Sequence, residues 1–228
     1  MKVLIALTTY NHVEITRKCM EYAMDLPHDI IVVDDCSTDG TLQYLAELKV
    51  SVITKKKRLG LTDSWNRAYK HFKGSDYTHL ILSNNDVLFP VGAIEAMVSD
   101  RLLTTPMCNY SGAGYVNKGQ AIDFYHDLRW IDPIQAANVQ RVQDDIKGEP
   151  EFRRIAGWTG FCMCMSRGII DKEYPGGNLF NPTNINVGND DDINQRVGCY
   201  IATRSFVYHY KGVSFDGKMR RKDRDDIR

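Results

Sequence analysis

Leu80-Ile81-Leu82-Ser83-Asn84-Asn85-Asp86-Val87 is an apolar run of strand character that stops in three polar side chains, the last of them acidic. Such a run suits a strand of a parallel sheet covered on both faces, and open α/β sheets gather their ligands at the carboxyl ends of such strands. On that reading a buried strand delivers Asp86 to a site. Asn-Asn-Asp is also good turn chemistry, and taken alone the stretch favours a turn. The segments on either side reverse that preference.

Those segments alternate between two periodicities. Lys2 to Thr8 reads as a first strand, and Val13 to Met24 as a helix ended by Pro27. Asp29 to Val33 is a second, apolar strand that runs into Asp34-Asp35-Cys36-Ser37-Thr38-Asp39-Gly40. A helix follows, with Leu42, Leu45, Ala46 and Leu48 on its buried side and Asp39 or Ser37 as its cap. Ser51 to Thr54 is a third strand; Arg58-Leu59-Gly60 turns the chain into a helix over Thr62 to Phe72, and the central strand runs from Thr78 to Ser83. This alternation predicts an α/β fold: a mostly parallel central sheet with right-handed crossovers and helices on both faces. Neither GxGxxG nor GxxxxGK[ST] follows the first strand, where Thr8-Thr9-Tyr10-Asn11 stands instead, so any nucleotide is held differently.

The second half is less regular. Leu102 to Tyr115 and Ala121 to Tyr125 read as short strands, and residues 127 to 150 as a polar surface helix with flanking loops. Gly157 to Met165 is a strand opening in two glycines. The turn-rich stretch Pro175 to Gly188 leads into Asn189-Asp190-Asp191-Asp192-Ile193-Asn194-Gln195-Arg196. Tyr200 to Tyr210 is a last strand carrying His209 near its end, and 216 to 228 is a mixed-charge tail, a frayed end or a linker to further domains.

Composition narrows the classes. A chain of 228 residues suits one domain, taken as 1–215 with halves at 1–100 and 101–215. Hydrophobic residues at 43% and charged residues at 25% are ordinary for a soluble globular protein. With 29 basic and 29 acidic side chains there is no positive field to attract nucleic acid. No apolar stretch approaches the ~20 residues of a membrane span. The apolar start is too short for a signal peptide, which leads to the expectation of a cytoplasmic protein. The six cysteines form no CxxC pair, so neither zinc nor a disulfide framework is indicated; Cys162 and Cys164 share one strand face.

Asp34, Asp35, Asp86, the Asp190 to Asp192 run and His209 mostly follow or end predicted strands, so one sheet edge can collect them. Carboxylates crowded at one crevice repel each other without a cation. An oxygen-rich set with one imidazole points to Mg²⁺ or Mn²⁺, the imidazole favouring Mn²⁺, with substrate phosphates completing the shell. A metal-dependent transfer from a nucleotide diphosphate follows.

At this point the residues carry a resemblance. The sequence resembles the GT-A glycosyltransferases of family 2, inverting enzymes that use nucleotide-sugar donors, in the right order over about residues 1 to 214. The pieces are Leu7 to Asn11, Val32 to Thr41, Gly60 with Asn66, Asn84-Asn85-Asp86 in place of DxD, Thr159-Gly160, Gly188 to Arg196 in place of GEDxDxxxR, and His209 with Ser214. The resemblance implies a three-layer GT-A sandwich in which Asp35 bonds the nucleobase, flanked by Thr9 and Tyr10, with Asn84 and Asn85 near the ribose. It further implies that Asp86 binds the metal, that His209 is a second ligand or diphosphate contact, and that Arg58 and Asp63 touch the donor. Asp190 is the implied general base, but Asn189 stands where glutamate is usual, which leaves Asp190 and Asp192 both open. The Asn-Asn-Asp variant is similar to the rhamnosyltransferase-like branch. The implied donor is a UDP-sugar, with glucose or rhamnose favoured, and the implied acceptor a glycan or glycoconjugate. Trp158 reads as a sugar platform or as core. Two other readings stay open: a non-catalytic nucleotide-sugar binding module and a sugar nucleotidyltransferase, although the latter requires a glycine-rich basic loop after the first strand.

Overall fold

The computed structural model describes residues 1–109, 136–155, 160–174, 176–186 and 188–210. Its first half follows the predicted alternation: β1 (Val3–Thr9), α1 (Val13–Ala23), β2 (Asp29–Asp34), α2 (Thr41–Glu47), β3 (Ser51–Thr54), α3 (Leu61–Lys73) and β4 (His79–Asn84). The strands pair in parallel in the order β3-β2-β1-β4, with Leu7 opposite Val32 and Thr8 opposite Asn84. β1, β2 and β4 are buried on both faces and send alternate residues to opposite layers, whereas the edge strand β3 is exposed or half-buried along its length. Val3, Ile5 and Leu7 pack with Cys19 and Met20 of α1, whereas Leu4 and Ala6 pack with Trp65, Tyr69 and Phe72 of α3. The helices thus cover both faces, as predicted.

In α2 the buried residues are Thr41, Tyr44 and Leu45, while Ala46 is exposed. Tyr44 displaces Ala46 from the expected face because the larger ring reaches the core. Asp39 does support this helix start, accepting from Thr41 N at 3.1 Å, and also holds the start of α1 through Val13 N at 3.0 Å.

The second half reorganises the sheet. After β5 (Val87–Leu88), α4 (Ala93–Met97) and β6 (Leu103–Cys108) come α5 (Ala136–Ile146), β7 (Phe152–Ile155), β8 (Cys162–Ser166), α6 (Arg167–Glu173), α7 (Asn189–Val197) and β9 (Cys199–His209). β8 lies antiparallel between β4 and β6; β9 runs parallel to β6 and antiparallel to β5 and β7. Relative to β4, therefore, β1, β2, β3, β6 and β9 share its direction, and only β5, β7 and β8 oppose it among the described strands. Cys162 and Cys164 do share one face, in the layer of α1. The helix expected over 127–150 is α5, and it is less superficial than its polarity suggests. Val139 and Val142 are buried against Phe206 and Tyr208, and Gln143 bonds Phe206 N and Arg204 O where β9 bulges opposite Pro106 and Met107. The expected strand Ala121–Tyr125 and the tail 216–228 lie outside the described residues.

Candidate active site

Six co-directional strands put their carboxyl ends on one edge of the sheet. There β1 ends before Tyr10, β2 leads into Asp35, β4 into Asp86, and β9 ends at His209. Because β8 runs the other way, its start reaches the same edge, and Asn84 N donates to Phe161 O at 2.9 Å. Most of the residues singled out from sequence thus meet in space. What each side chain does there divides them.

Asp35 is 5% exposed and surrounded by donors from its own chain. Lys55 Nζ lies 2.7 Å from Oδ1, and the backbone amides of Leu59 and Gly60 donate to Oδ1 and Oδ2 at 2.8 Å each. Lys55 was not anticipated as a site residue, since the run Lys55-Lys56-Lys57 reads as surface charge. It is in fact 7% exposed and also reaches Asp63 Oδ2 at 3.2 Å, Ser64 Oγ at 2.7 Å and Gly60 O at 3.1 Å. Burial works against ionising Asp63, but hydrogen bonding from Arg67 and the Lys55 charge outweigh it and hold the carboxyl below its usual range. Replacing Lys55 with Met should leave Asp35 buried beside no cation. Breaking a buried pair in this way costs about 3–5 kcal/mol, and a fall in the urea midpoint checks it. An unchanged midpoint would refute this role.

The side chains of Thr9 and Asn85 face each other rather than outward. Asn85 Nδ2 donates to Thr9 Oγ1 at 3.1 Å and to Thr16 Oγ1 at 2.8 Å, and both residues are buried. Their side chains therefore tie β1, α1 and the β4 turn together. Tyr10 remains at the edge, with the Arg58 guanidinium carbon 3.9 Å from its ring centroid, a cation–π stack. The Asn84 Oδ1 atom is buried with no hydrogen-bond partner among the described residues.

Asp86 and His209 come from opposite halves of the chain and lie side by side, Nε2 to Oδ1 at 3.4 Å, with exposures of 2% and 8%. The Phe161 ring stacks on the imidazole at 4.4 Å and 15°. No group of three or more His, Cys, Asp or Glu side chains poised for a metal occurs among the described residues. One carboxylate and one imidazole fit a Mn²⁺ or Mg²⁺ whose remaining positions are filled by diphosphate and water, the usual arrangement for such ions.

The acidic run opens α7, and the fold separates its members. Asp190 Oδ2 accepts from Gly160 N at 3.3 Å. Burial raises its carboxyl above the usual range, the Gly160 amide opposes this, and the Asp191 charge adds to it. Asp192 instead forms a bidentate pair with Arg196 at 2.8 and 2.9 Å. Asp191 is exposed. Asn189, where glutamate was expected, is buried with its Oδ1 2.9 Å from the Thr62 hydroxyl, fixing the start of α7 on α3.

The loop before α7 is held to α3 in two more places. Asn66 clamps the Phe180 peptide, donating to its carbonyl at 3.0 Å and accepting from its amide at 2.9 Å. Gly60 lies directly under the loop: a Cβ there would sit 2.6 Å from Ile185 Cγ2 and 2.8 Å from Ile185 O. With φ +86° and ψ 175°, Gly60 also occupies a region open essentially to glycine alone. Gly60→Ala should therefore cost at least ~1–3 kcal/mol and loosen the 181–188 loop, read as a lower melting temperature and faster limited proteolysis there. Trp158, Thr159 and Ser214 lie outside the described residues.

An acid–imidazole pair and a half-buried carboxylate at a helix start thus lie at the carboxyl edge of a mixed α/β sheet, the edge where open α/β sheets gather their ligands. The chain belongs to the family described as Glycosyl transferase family 2, which matches residues 4–172. GalNAc-T7, solved with UDP, GalNAc and Mn²⁺, is similar over 92% of this chain and 44% of its own, with TM-score 0.64 and 16% identity. The mannosyltransferase PcManGT from Pyrobaculum calidifontis, solved with GDP-Man and Mn²⁺, is similar over 96% of this chain and 60% of its own, with TM-score 0.58 and 18% identity. The inositol-1-phosphate CTP transferase from T. maritima is similar over 100% of this chain and 95% of its own, with TM-score 0.50 and 13% identity. These likenesses show the GT-A fold, and the chain spans less than two thirds of the length of the two glycosyltransferases. No curated protein matches the chain in sequence. No described helix is long and apolar enough to cross a membrane.

Proposed function

We propose that this chain transfers a sugar from a nucleotide diphosphate to a hydroxyl of a glycan or glycoconjugate acceptor, with inversion at the anomeric carbon. The observation that carries the reading is the meeting of Asp86, His209 and Asp190 on the carboxyl edge of the sheet, reached from β4, β9 and α7. Asp86 and His209 are the residues that would hold a Mn²⁺ or Mg²⁺. That ion supplies Lewis-acid neutralisation of charge on the departing diphosphate. Tyr10, Arg58 and Asn84 line the donor side, with Asp35 and Asp63 ordering the loop beneath them. Asp190 is the general base that takes the acceptor proton as its oxygen attacks, because among the described residues its carboxylate has no cation such as the one that neutralises Asp192. Uridine is the favoured carrier and glucose or rhamnose the favoured sugar, within one GT-A domain over residues 1–215.

The T. maritima likeness favours one second reading, nucleotidyl transfer. Against it stands the end of β1, where Thr9-Tyr10-Asn11-His12 offers no glycine-rich basic loop to cradle a triphosphate.

The deciding experiment is calorimetric titration of UDP, dTDP and GDP with and without Mn²⁺, followed by UDP-glucose and UDP-rhamnose. Selective, metal-dependent binding of one diphosphate is expected. A folded protein that binds none of them would overturn the proposal.

A further inference from the structure

The imidazole of His209 is held from two sides by residues that no part of the sequence pattern marks. β6 ends at Cys108, whose partner in β9 is Val207, so the backbone ladder stops before His209. The next residue, Asn109, is buried and continues that ladder with its side chain. Its Oδ1 accepts from His209 N at 2.7 Å, and its Nδ2 donates to His209 O at 3.3 Å. A bidentate amide of this kind fixes the two peptide groups that flank His209 as a strand partner would, and it does so at the residue where the paired backbone runs out. On its other edge the His209 backbone is opposite Val87 of β5, and Tyr210 N donates to Asp86 O at 2.8 Å. The peptide is therefore tied on one side to the segment that carries Asp86 and on the other to Asn109.

Fixing the backbone leaves the ring free to turn about its own torsions. Phe161 removes that freedom. It is 1% exposed and lies nearly parallel to the imidazole, 15° between planes and 4.4 Å between centroids. Its own carbonyl is anchored by Asn84 N at 2.9 Å and Ser83 Oγ at 3.2 Å, so the stack rests on β4. With the peptide clamped and one ring face covered, Nε2 is aimed at Asp86 Oδ1.

We propose that Asn109 and Phe161 are positioning residues that hold His209 in the orientation needed to share a divalent cation with Asp86. The proposal rests on the metal reading of His209 given above. Neighbours that orient a metal-bound imidazole typically cost 10–100-fold in metal affinity when removed.

The test compares Asn109→Ala, Phe161→Leu, Phe161→Tyr and His209→Ala with the parent chain, by electron paramagnetic resonance of free Mn²⁺ in the presence of saturating UDP. Asn109→Ala and Phe161→Leu should weaken Mn²⁺ binding by about 10–100-fold. Phe161→Tyr, which keeps the stacking ring, should stay close to the parent, and UDP binding without metal should be unchanged in Asn109→Ala and both Phe161 variants. Two metal-free signals accompany this. Exchange of the His209 amide should accelerate in Asn109→Ala, and the ring-current shift of the His209 imidazole protons should vanish in Phe161→Leu. Parent-like Mn²⁺ affinity in folded Asn109→Ala and Phe161→Leu, with His209→Ala impaired, would overturn the positioning role and leave the metal reading standing. Parent-like affinity in His209→Ala would overturn the metal reading itself. Should Asn109→Ala unfold, Asn109→Asp, which retains the oxygen facing His209 N, carries the affinity comparison, and an unaltered amide exchange rate there with weakened Mn²⁺ binding counts against the clamp; should Phe161→Leu unfold, Phe161→Met, which also lacks the ring, takes its place.

Discussion

Asp86→Ala should abolish the increase in nucleotide diphosphate affinity that Mn²⁺ brings, while leaving metal-free binding in place. Asp86 is 2% exposed and lies beside His209, and these two side chains are the ones among the described residues that we propose hold the ion. A divalent cation that keeps several waters depends on each carboxylate it has. Since loss of a mere supporting group costs 10–100-fold in metal affinity, loss of one of two protein ligands should exceed that range. The check is the paired titration of UDP with and without Mn²⁺, on protein shown by circular dichroism to be folded. Asp86→Asn, which keeps the shape and removes the charge, should behave nearly as badly, because Mn²⁺ and Mg²⁺ select for anionic oxygen. Retained Mn²⁺-dependent affinity in both variants would remove Asp86 from the metal site and with it the central observation of the proposed function.

Asp190→Asn should keep donor binding and lose transfer by about 10²–10⁴-fold, the range a general base contributes. The neighbouring carboxylates provide the control. Asp192→Asn removes the Arg196 pair on an exposed helix flank and should cost little in turnover, since such pairs contribute only ~0.3–0.5 kcal/mol. Equal losses in the two variants would leave the base unassigned, and a parent-like Asp190→Asn would refute the assignment.

The same residue predicts the pH profile. A general base works only when deprotonated, and burial raises the Asp190 carboxyl above its usual range. Turnover should therefore rise with pH through a transition displaced upward from that of an ordinary carboxylate. For stability the sign is opposite. The folded state holds this proton more tightly than the unfolded chain, so the contribution of Asp190 is most favourable at low pH and is lost as pH rises through the raised value. Asp190→Asn should accordingly be neutral or slightly stabilising at neutral pH. A thermal melt read beside the rate assay separates lost chemistry from lost structure.

Much of the fold is written in local patterns. Leu4 to Leu7, Ile30 to Val33 and Leu80 to Leu82 are continuous apolar runs because both faces of their strands are covered, and the helices between them show their own spacing. Elements of two to seven residues such as β5, α4, β7 and α6 were not foreseen, since so few positions carry no period. The site was legible only as a set of strand ends. That Asp35 and Asp86 share one edge follows from the strand direction that the alternation of β and α implies, whereas His209 joins them through the pairing of β9 and Asp190 through its bond to Gly160.

The partner of each side chain did not follow. Asp190 and Asp192 stand two residues apart in one acidic run, and their difference comes from Gly160 on one side and Arg196 on the other. Lys55 reads as one of three surface lysines until Asp35 and Asp63 close around it. Thr9 and Asn85 look like ligand contacts in sequence and prove to bond each other across 76 residues. Sequence by itself determined the alternating strands, helices and strand ends of the first half, because apolar periodicity is a property of neighbours along the chain. Only the tertiary structure decided which buried polar group is satisfied by which, because hydrogen bonding and charge neutralisation are settled between segments far apart in sequence and adjacent in space.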